Sequence, residues 1–180
     1  MKRTIPYFLL LTVLAVGCTP SRDKLARQID AQEKSLYSPQ AQEFSKGKAD
    51  SLVAMYEEFI QKHPQDTLSP GYLFKAGNIV MNEGDGPKAL RIFEQYMKDY
   101  PKGPKAALCL FFKAFIYENL MGDLDRAKES YLIFLEKYPN DDFANDARMS
   151  IANLGKTPEM LIKEFEARQK ADSLAKSGKK

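Results

Sequence analysis

The sequence predicts an all-α fold, an α-solenoid built from antiparallel helix pairs. Three segments, residues 56–64, 93–101 and 131–139, align without gaps, and each ends in a proline. These prolines are 101 − 64 = 37 and 139 − 101 = 38 residues apart, and Gly84 and Gly122 are also 38 residues apart. Within each segment, apolar residues recur every three or four positions, as they do on one face of a helix. Several landmarks with one period indicate a repeat array whose units stack on one another.

Eight helices are predicted from these apolar stripes and from the signals at their ends. A stripe stops before a proline, which an α-helix cannot easily run through, or before a glycine that can end a helix in the left-handed conformation. Four helices start at a cap or turn residue followed by a first-turn proline. The start signals are Ser69-Pro70, Asp85-Gly86-Pro87, Gly103-Pro104 and Thr157-Pro158, and the glycines are Gly84, Gly122 and Gly155. The predicted helices are 22–37, 41–62, 70–83, 87–100, 104–121, 124–138, 142–154 and 158–170.

The helix predicted at 104–121 should lie at the centre of the core. It is apolar on nearly every side, and a helix without a polar face is normally enclosed by its neighbours. We therefore expect Phe111 and Phe115 to be buried between adjacent units, together with Ala127 and Tyr131 at the matched positions of the following helix.

The amino terminus has the layout of a secretory signal peptide. Two basic residues precede an apolar run over residues 5–16, which is too short to cross a bilayer as a helix. Residues 14–18 resemble the lipobox of bacterial lipoproteins, although Ala15 stands where leucine is usual. The resemblance implies cleavage before Cys18, which would carry a diacylglyceryl group and a further acyl chain such as palmitate. An ordinary signal peptide with an incidental cysteine and an uncleaved anchor are the alternatives.

Four parts follow from these patterns. They are a lipoprotein signal peptide at 1–17, a lipid-anchored Cys with a tether and first helix at 18–40, a repeat domain at 41–170, and a Lys-rich flexible tail at 171–180. Removal of residues 1–17 leaves 27 − 2 = 25 basic and 24 acidic residues, a net charge of about +1. Because nucleic-acid binding needs a concentrated basic face, no nucleic-acid partner is expected.

The side chains offer little for catalysis, for a cofactor or for a metal ion. His63, the single histidine, falls at a predicted helix end, where capping or exposure is expected. The glycine-rich step at 83–87 lacks the Lys-Ser/Thr of a phosphate-binding loop, and residues 140–142 are expected to start a helix, not a calcium loop. Cys109 has no partner once Cys18 is acylated, so it is expected to be a buried free thiol. We expect no enzymatic activity, no cofactor and no metal site.

The repeated segments resemble the tetratricopeptide repeat (TPR). In the second helix of a unit, that motif has an alanine, an aromatic residue four positions later and a proline eight further on. The matching residues are Ala89, Phe93 and Pro101, and again Ala127, Tyr131 and Pro139. In the first helix, Ala114 and Tyr117 match the small residue and the tyrosine of the motif. The chain departs from the motif in having no Trp, a period of 37–38 residues instead of 34, and Leu52 where alanine is expected.

Over residues 41–170 the chain also resembles envelope lipoproteins of the outer-membrane-protein assembly complex (BamD type) and the repeat domain of the Tol–Pal periplasmic coordinator. The resemblance implies a right-handed superhelix whose concave face is lined by the first helix of each pair. Its inward positions, counted from the matched alanines, are Leu73, Val80, Met81, Phe111, Phe115, Glu118, Asn119 and Arg148. The candidate partner-binding residues among them are Leu73, Met81, Glu118, Asn119 and Arg148. A Glu118–Arg148 pair is expected either to brace two units or to contact polar groups of a partner.

These features and resemblances predict a lipid-anchored scaffold of the bacterial cell envelope that binds a protein or peptide partner. Its expected location is the outer membrane, facing the periplasm, and its expected role lies in outer-membrane protein assembly or in envelope and division organisation. Two alternatives remain: an oligomerising structural lipoprotein that uses residues 21–48 as a coil, and the binding component of a nutrient-uptake system. The oligomeric state and the identity of the partner stay open at this point.

Overall fold

The structure, a computed structural model, describes residues 21–37 and 45–177 of the chain. These residues form helices and no strand, which confirms the predicted all-α class. The helices are α1 (Arg22–Leu36), α2 (Lys46–Lys62), α3 (Ser69–Asn82), α4 (Gly86–Asp99), α5 (Ala106–Asn119), α6 (Leu124–Lys137), α7 (Ala144–Asn153) and α8 (Pro158–Ser177). The predicted signal peptide at 1–17, the predicted lipidation site Cys18 and residues 41–44 of the predicted second helix lie outside the described residues.

Several helix boundaries differ from the prediction by one residue, and larger differences occur at the start of α2 (Lys46), at both ends of α5, at the start of α7 (Ala144) and at the end of α8. Helix α5 begins at Ala106 instead of 104, because the N–H of Ala106 still closes a turn by donating to the carbonyl of Gly103. Helix α8 continues past residue 170 to Ser177. Residues 166–177 contain good helix formers such as Ala, Arg, Gln and Lys and neither proline nor glycine, so nothing in the sequence ends the helix at 170.

A glycine followed by an aspartate joins the two helices of each central pair. Gly84 and Gly122 have φ angles of 83° and 66°, a conformation that L side chains rarely adopt, as predicted for a helix end. The next residue caps the following helix: the Asp85 carboxylate accepts from the Lys88 N–H at 3.0 Å, and the Asp123 carboxylate accepts from the Arg126 N–H at 3.1 Å. The same local chemistry therefore closes the pairs α3–α4 and α5–α6.

The core consists of two clusters that meet at α5. One cluster gathers buried residues of α1 to α4 around Cys109 and Ile116 of α5. The other gathers residues of α6 and α7 around Phe111 and Ala114 of the same helix. Phe112 is packed against both clusters. The prediction that this helix occupies the centre of the core is confirmed, because it is the element that connects the two halves.

The burial predictions for single residues are confirmed except in one case. Phe111, Ala127 and Tyr131 are buried. Phe115, which was also expected to be buried, is 37% exposed. The prediction was wrong because α5 packs on α4 with one side and on α6 with another, and Phe115 lies on neither of these two faces.

Cys109 is a buried free thiol, as the sequence predicted. Burial raises the pKa of this thiol to about 12, because a thiolate is poorly solvated among apolar side chains. At neutral pH the side chain therefore acts as a small apolar core residue.

The turns that connect one helix pair to the next contain the same backbone N–H donor, and in one turn a tyrosine hydroxyl replaces an aspartate carboxylate as its acceptor. In the α2–α3 turn the Asp66 carboxylate accepts from the Leu68 N–H at 2.9 Å, and in the α6–α7 turn the Asp141 carboxylate accepts from the Phe143 N–H at 3.0 Å. The matched residues of the α4–α5 turn are Gly103 and Lys105, as 66 + 37 = 103 and 141 − 38 = 103. There the Lys105 N–H donates to the Tyr96 hydroxyl at 3.2 Å. The residues matched to Tyr96 in the other units are Phe59 and Phe134.

We predict that Tyr96 and Gly103 compensate for each other. Tyr96→Phe leaves the Lys105 N–H without its acceptor, at a cost of about 1–3 kcal/mol. Gly103→Asp places a Cβ 2.5 Å from the Tyr96 hydroxyl, so this change is also destabilising. The double variant recreates the arrangement of the other two turns, and it should be more stable than the sum of the single changes by about 1 kcal/mol. Urea unfolding of all four proteins measures this difference, and strictly additive losses would contradict the pairing.

Candidate partner-binding surfaces

The predicted partner-binding residues lie at different depths along the first helices α3, α5 and α7. Asn119 and Arg148 are exposed, and Met81 is half-buried against the first core cluster. Leu73 is buried and lines a cleft between α2 and α4. The structure therefore leaves Met81, Asn119 and Arg148 accessible and places Leu73 beneath another surface.

Glu118 has an intramolecular partner. Its carboxylate accepts a hydrogen bond from the buried Tyr131 hydroxyl at 2.7 Å. The Arg148 guanidinium donates to the Pro139 carbonyl at 3.3 Å. Among the described residues, the expected Glu118–Arg148 pair is not formed: Glu118 accepts from a tyrosine of α6, and Arg148 donates to a carbonyl in the turn after α6.

Phe115 and Asn119 form an accessible patch on the exposed side of α5. The Asn119 amide donates to the carbonyl of Phe115 at 3.0 Å, which holds its side chain along the helix. The Phe115 ring lies one turn away on the same face and is partly open to solvent. An aromatic ring beside an amide offers both apolar contact and hydrogen bonding, a composition that protein interfaces favour.

A cleft of about 510 Å³ lies between the second helices α2 and α4. Both helices pack on α3, and buried Ile60 and Leu73 form the floor of the cleft. Exposed acidic and amide side chains line its walls: Glu57, Gln61, Gln65, Gln95 and Asp99. Sequence reasoning missed this cleft because it followed the first helices. A signal was present in Gln61 and Gln95, at non-apolar positions of the repeated segments, and in Gln65, which directly follows the first segment.

Helix α8 leaves large apolar side chains uncovered. Met160, Ile162 and Phe165 are 50%, 59% and 61% exposed. The helix is capped by the Thr157 hydroxyl, which accepts from the Met160 N–H at 3.3 Å, and is held to the preceding turn by the Lys156–Glu164 ion pair at 2.8 Å. Because Met160 and Ile162 are two positions apart, they lie on different sides of the helix, so these side chains do not form one apolar stripe.

The described part of the chain holds neither a metal-binding cluster nor a membrane-spanning helix. In residues 21–37 and 45–177, no cluster of three or more His, Cys, Asp or Glu side chains is arranged to hold a metal ion. In the same residues, no helix is both long enough and apolar enough to cross a bilayer. His63 lies at the end of α2, with its ring centroid 5.1 Å from that of Phe59.

Comparison with known proteins agrees with this architecture. A family model described as "Tetratricopeptide repeat" matches residues 109–141, which span most of α5, all of α6 and the turn that follows. A curated relative, the "Outer membrane protein assembly factor BamD" of Caulobacter vibrioides (strain ATCC 19089 / CIP 103742 / CB 15), is 27% identical over 123 residues. The aligned region is 64% of this chain and 40% of the relative, so the chain spans about two fifths of that protein's length. The matches and the fold support a protein of the TPR type that is similar to BamD.

We predict that Phe115 contributes less to stability than the fully buried rings. Phe115→Ala should lower the free energy of unfolding by about 1–2 kcal/mol, because 37% of the ring is already exposed in the folded state. Phe134→Ala, at a ring with no exposure, should lower it by about 3–5 kcal/mol. Urea midpoints of the two variants test this, and equal losses would mean that Phe115 is packed as a core residue.

Proposed function

We propose that the chain is a lipid-anchored scaffold of the bacterial cell envelope that binds a protein partner through its TPR-type repeats. The repeat fold and the similarity to BamD support a role in protein–protein interaction. Within the described residues the chemistry points the same way, because the polar side chains brace helices or lie exposed and do not converge on a reacting centre.

The observation that carries this proposal is the exposed ring of Phe115 on a helix whose other faces are buried. A phenylalanine in the middle of the central helix would be covered if packing alone had selected it. Asn119 lies one turn further along α5 and supplies an amide, and the predicted positions Met81 and Arg148 on the first helices α3 and α7 supply a flexible thioether and a guanidinium. We propose this surface, the first-helix face, as the docking site of the partner, with aromatic and Arg side chains as its anchors.

We further propose that the process served is outer-membrane protein assembly. The relative's printed name gives this role for BamD, and its similarity covers 64% of this chain. The lipobox-like segment before Cys18 supports attachment of the chain to a membrane by lipid, facing the periplasm. Two or three acyl chains hold a protein firmly at a bilayer, whereas one chain does so only marginally.

We predict that Cys18 carries the anchor. Cys18→Ser should move the protein from the membrane fraction to the soluble fraction and abolish incorporation of a labelled fatty acid. Intact-protein mass spectrometry of the wild type should show a chain that begins at Cys18 with added acyl mass. A Cys18→Ser protein that still sediments with membranes would point to an uncleaved anchor. Cys109→Ser is the matched control and should keep the label, because that thiol is buried.

We predict that the first-helix face captures the partner. A photoreactive amino acid at Asn119 should crosslink a defined protein in envelopes of the native host. Phe115→Ser should weaken this capture several-fold, because the 37% of the ring that is still exposed can gain about 0.5–1 kcal/mol when a partner covers it. Leu132→Ser is the control: it removes an apolar side chain that is 51% exposed on the second helix α6. Capture that survives Phe115→Ser with unchanged efficiency would place the partner on another surface.

A further inference from the structure

The cleft between α2 and α4 is a built feature of the fold with unused polar groups. Its outer edge is closed by the Tyr100 hydroxyl, which donates to the Pro64 carbonyl at 2.8 Å. In the described part of the chain, neither Glu57 nor Asp99 forms an ion pair, and the amide of Gln95 has no hydrogen-bond partner there. These groups face a volume of about 510 Å³ over an apolar floor.

The residues at the matched positions one repeat later in the chain show which of the cleft residues the fold requires. The residues matched to Ile60 and Tyr100 are Met97 and Tyr138, so the floor and the closing aromatic ring keep their character. The polar wall changes its charge: the residues matched to Gln61, Gln65 and Asp99 are Lys98, Lys102 and Lys137. The residue matched to Glu57 is Glu94, which forms an ion pair with Lys113 at 2.7 Å. The same helix packing therefore tolerates a basic wall in one place and an acidic, amide-rich wall in the other. Packing does not explain the acidic wall.

We infer that the α2–α4 cleft is a second docking site, separate from the first-helix face, and that it binds an extended peptide segment containing an arginine. The guanidinium has the charge and the planar donor geometry that Glu57 and Asp99 can accept, and its face can stack on the ring of Tyr100. Its aliphatic stem covers the apolar floor.

The glutamines specify the rest of the occupant. A side-chain amide both donates and accepts, so Gln61, Gln65 and Gln95 match the alternating N–H and C=O groups of an extended backbone. A folded surface with a single basic side chain would use the carboxylates alone and leave these exposed amides to water. The chemistry of the site therefore fits an unstructured, arginine-bearing segment of a partner protein.

The experiment is a selection from random heptapeptides displayed on phage, against the full chain held in detergent micelles. Recovered peptides should be enriched in arginine, and fluorescence anisotropy should give their dissociation constants. Glu57→Gln/Asp99→Asn should weaken binding about tenfold or more, as expected for loss of charge-assisted hydrogen bonds. The matched control Glu129→Gln/Glu136→Gln removes two exposed, unpaired carboxylates from α6 and should change the constants less than about twofold.

A second variant guards against loss of folding. Gln61→Lys/Gln65→Lys introduces residues that the next unit already carries at the matched positions, so the helices should form and the arginine peptides should be repelled. Recovery of peptides without arginine enrichment, or equal binding to Glu57→Gln/Asp99→Asn, overturns the proposal. A concentration-dependent dimer that dissociates in the Glu57→Gln/Asp99→Asn variant would also overturn the proposal, and it would identify a second copy of the chain as the occupant. None of these outcomes bears on crosslinking from Asn119, so the first-helix face is tested independently.

Discussion

The structure depends on burying two aromatic rings from each of the second helices α2, α4 and α6. The six rings have no solvent exposure: Tyr56 and Phe59 in α2, Phe93 and Tyr96 in α4, and Tyr131 and Phe134 in α6. Rings of this size fill the space between successive helices, but a tyrosine also carries a hydroxyl into the core, where an unpaired polar atom is costly. Each buried hydroxyl is accordingly paired: Tyr56 donates to Glu33 and Tyr131 to Glu118, both at 2.7 Å, and Tyr96 accepts from the Lys105 N–H.

Because of this constraint, differences between the units occur as compensating pairs. Where Phe93 replaces tyrosine, the residue matched to Glu118 is Val80, so the unit whose ring has no hydroxyl also has no carboxylate at the matched position. A carboxylate on a first helix is therefore explained by the tyrosine that it serves, as for Glu118. Recognition is better sought where the units differ with no such companion change, as they do along the walls of the α2–α4 cleft.

Most of the fold could be predicted, since helix ends, repeat period and capping are local and follow from glycine, proline and aspartate. Gly84 and Gly122 have the positive φ that the prediction required. The candidate site was harder because it depends on which neighbours a side chain meets. The prediction that Phe115 is buried was wrong, because a helix that is apolar on all sides still has an exposed face when only two helices pack closely on it. The hydrogen bond from Tyr131 to Glu118 was not predicted, because the sequence does not show where the Tyr131 hydroxyl lies in the fold.

The two ends of the helical array differ in how their outermost helix is held and in how much of its apolar surface is covered. At the first end, α1 is tied down by polar links: Arg22 binds Asp66 at 2.8 Å, and Lys75 binds Glu33 at 2.8 Å. The Arg22 hydrogen bond lowers the pKa of Asp66 to about 2, so the link persists through ordinary acidities. At the other end, α8 leaves Phe165 and its apolar neighbours open to solvent. Stacked repeats normally end in a polar cap, because an uncovered apolar face is unstable in water. Among the described residues, the array is therefore closed by polar links at α1 and keeps uncovered apolar side chains at α8.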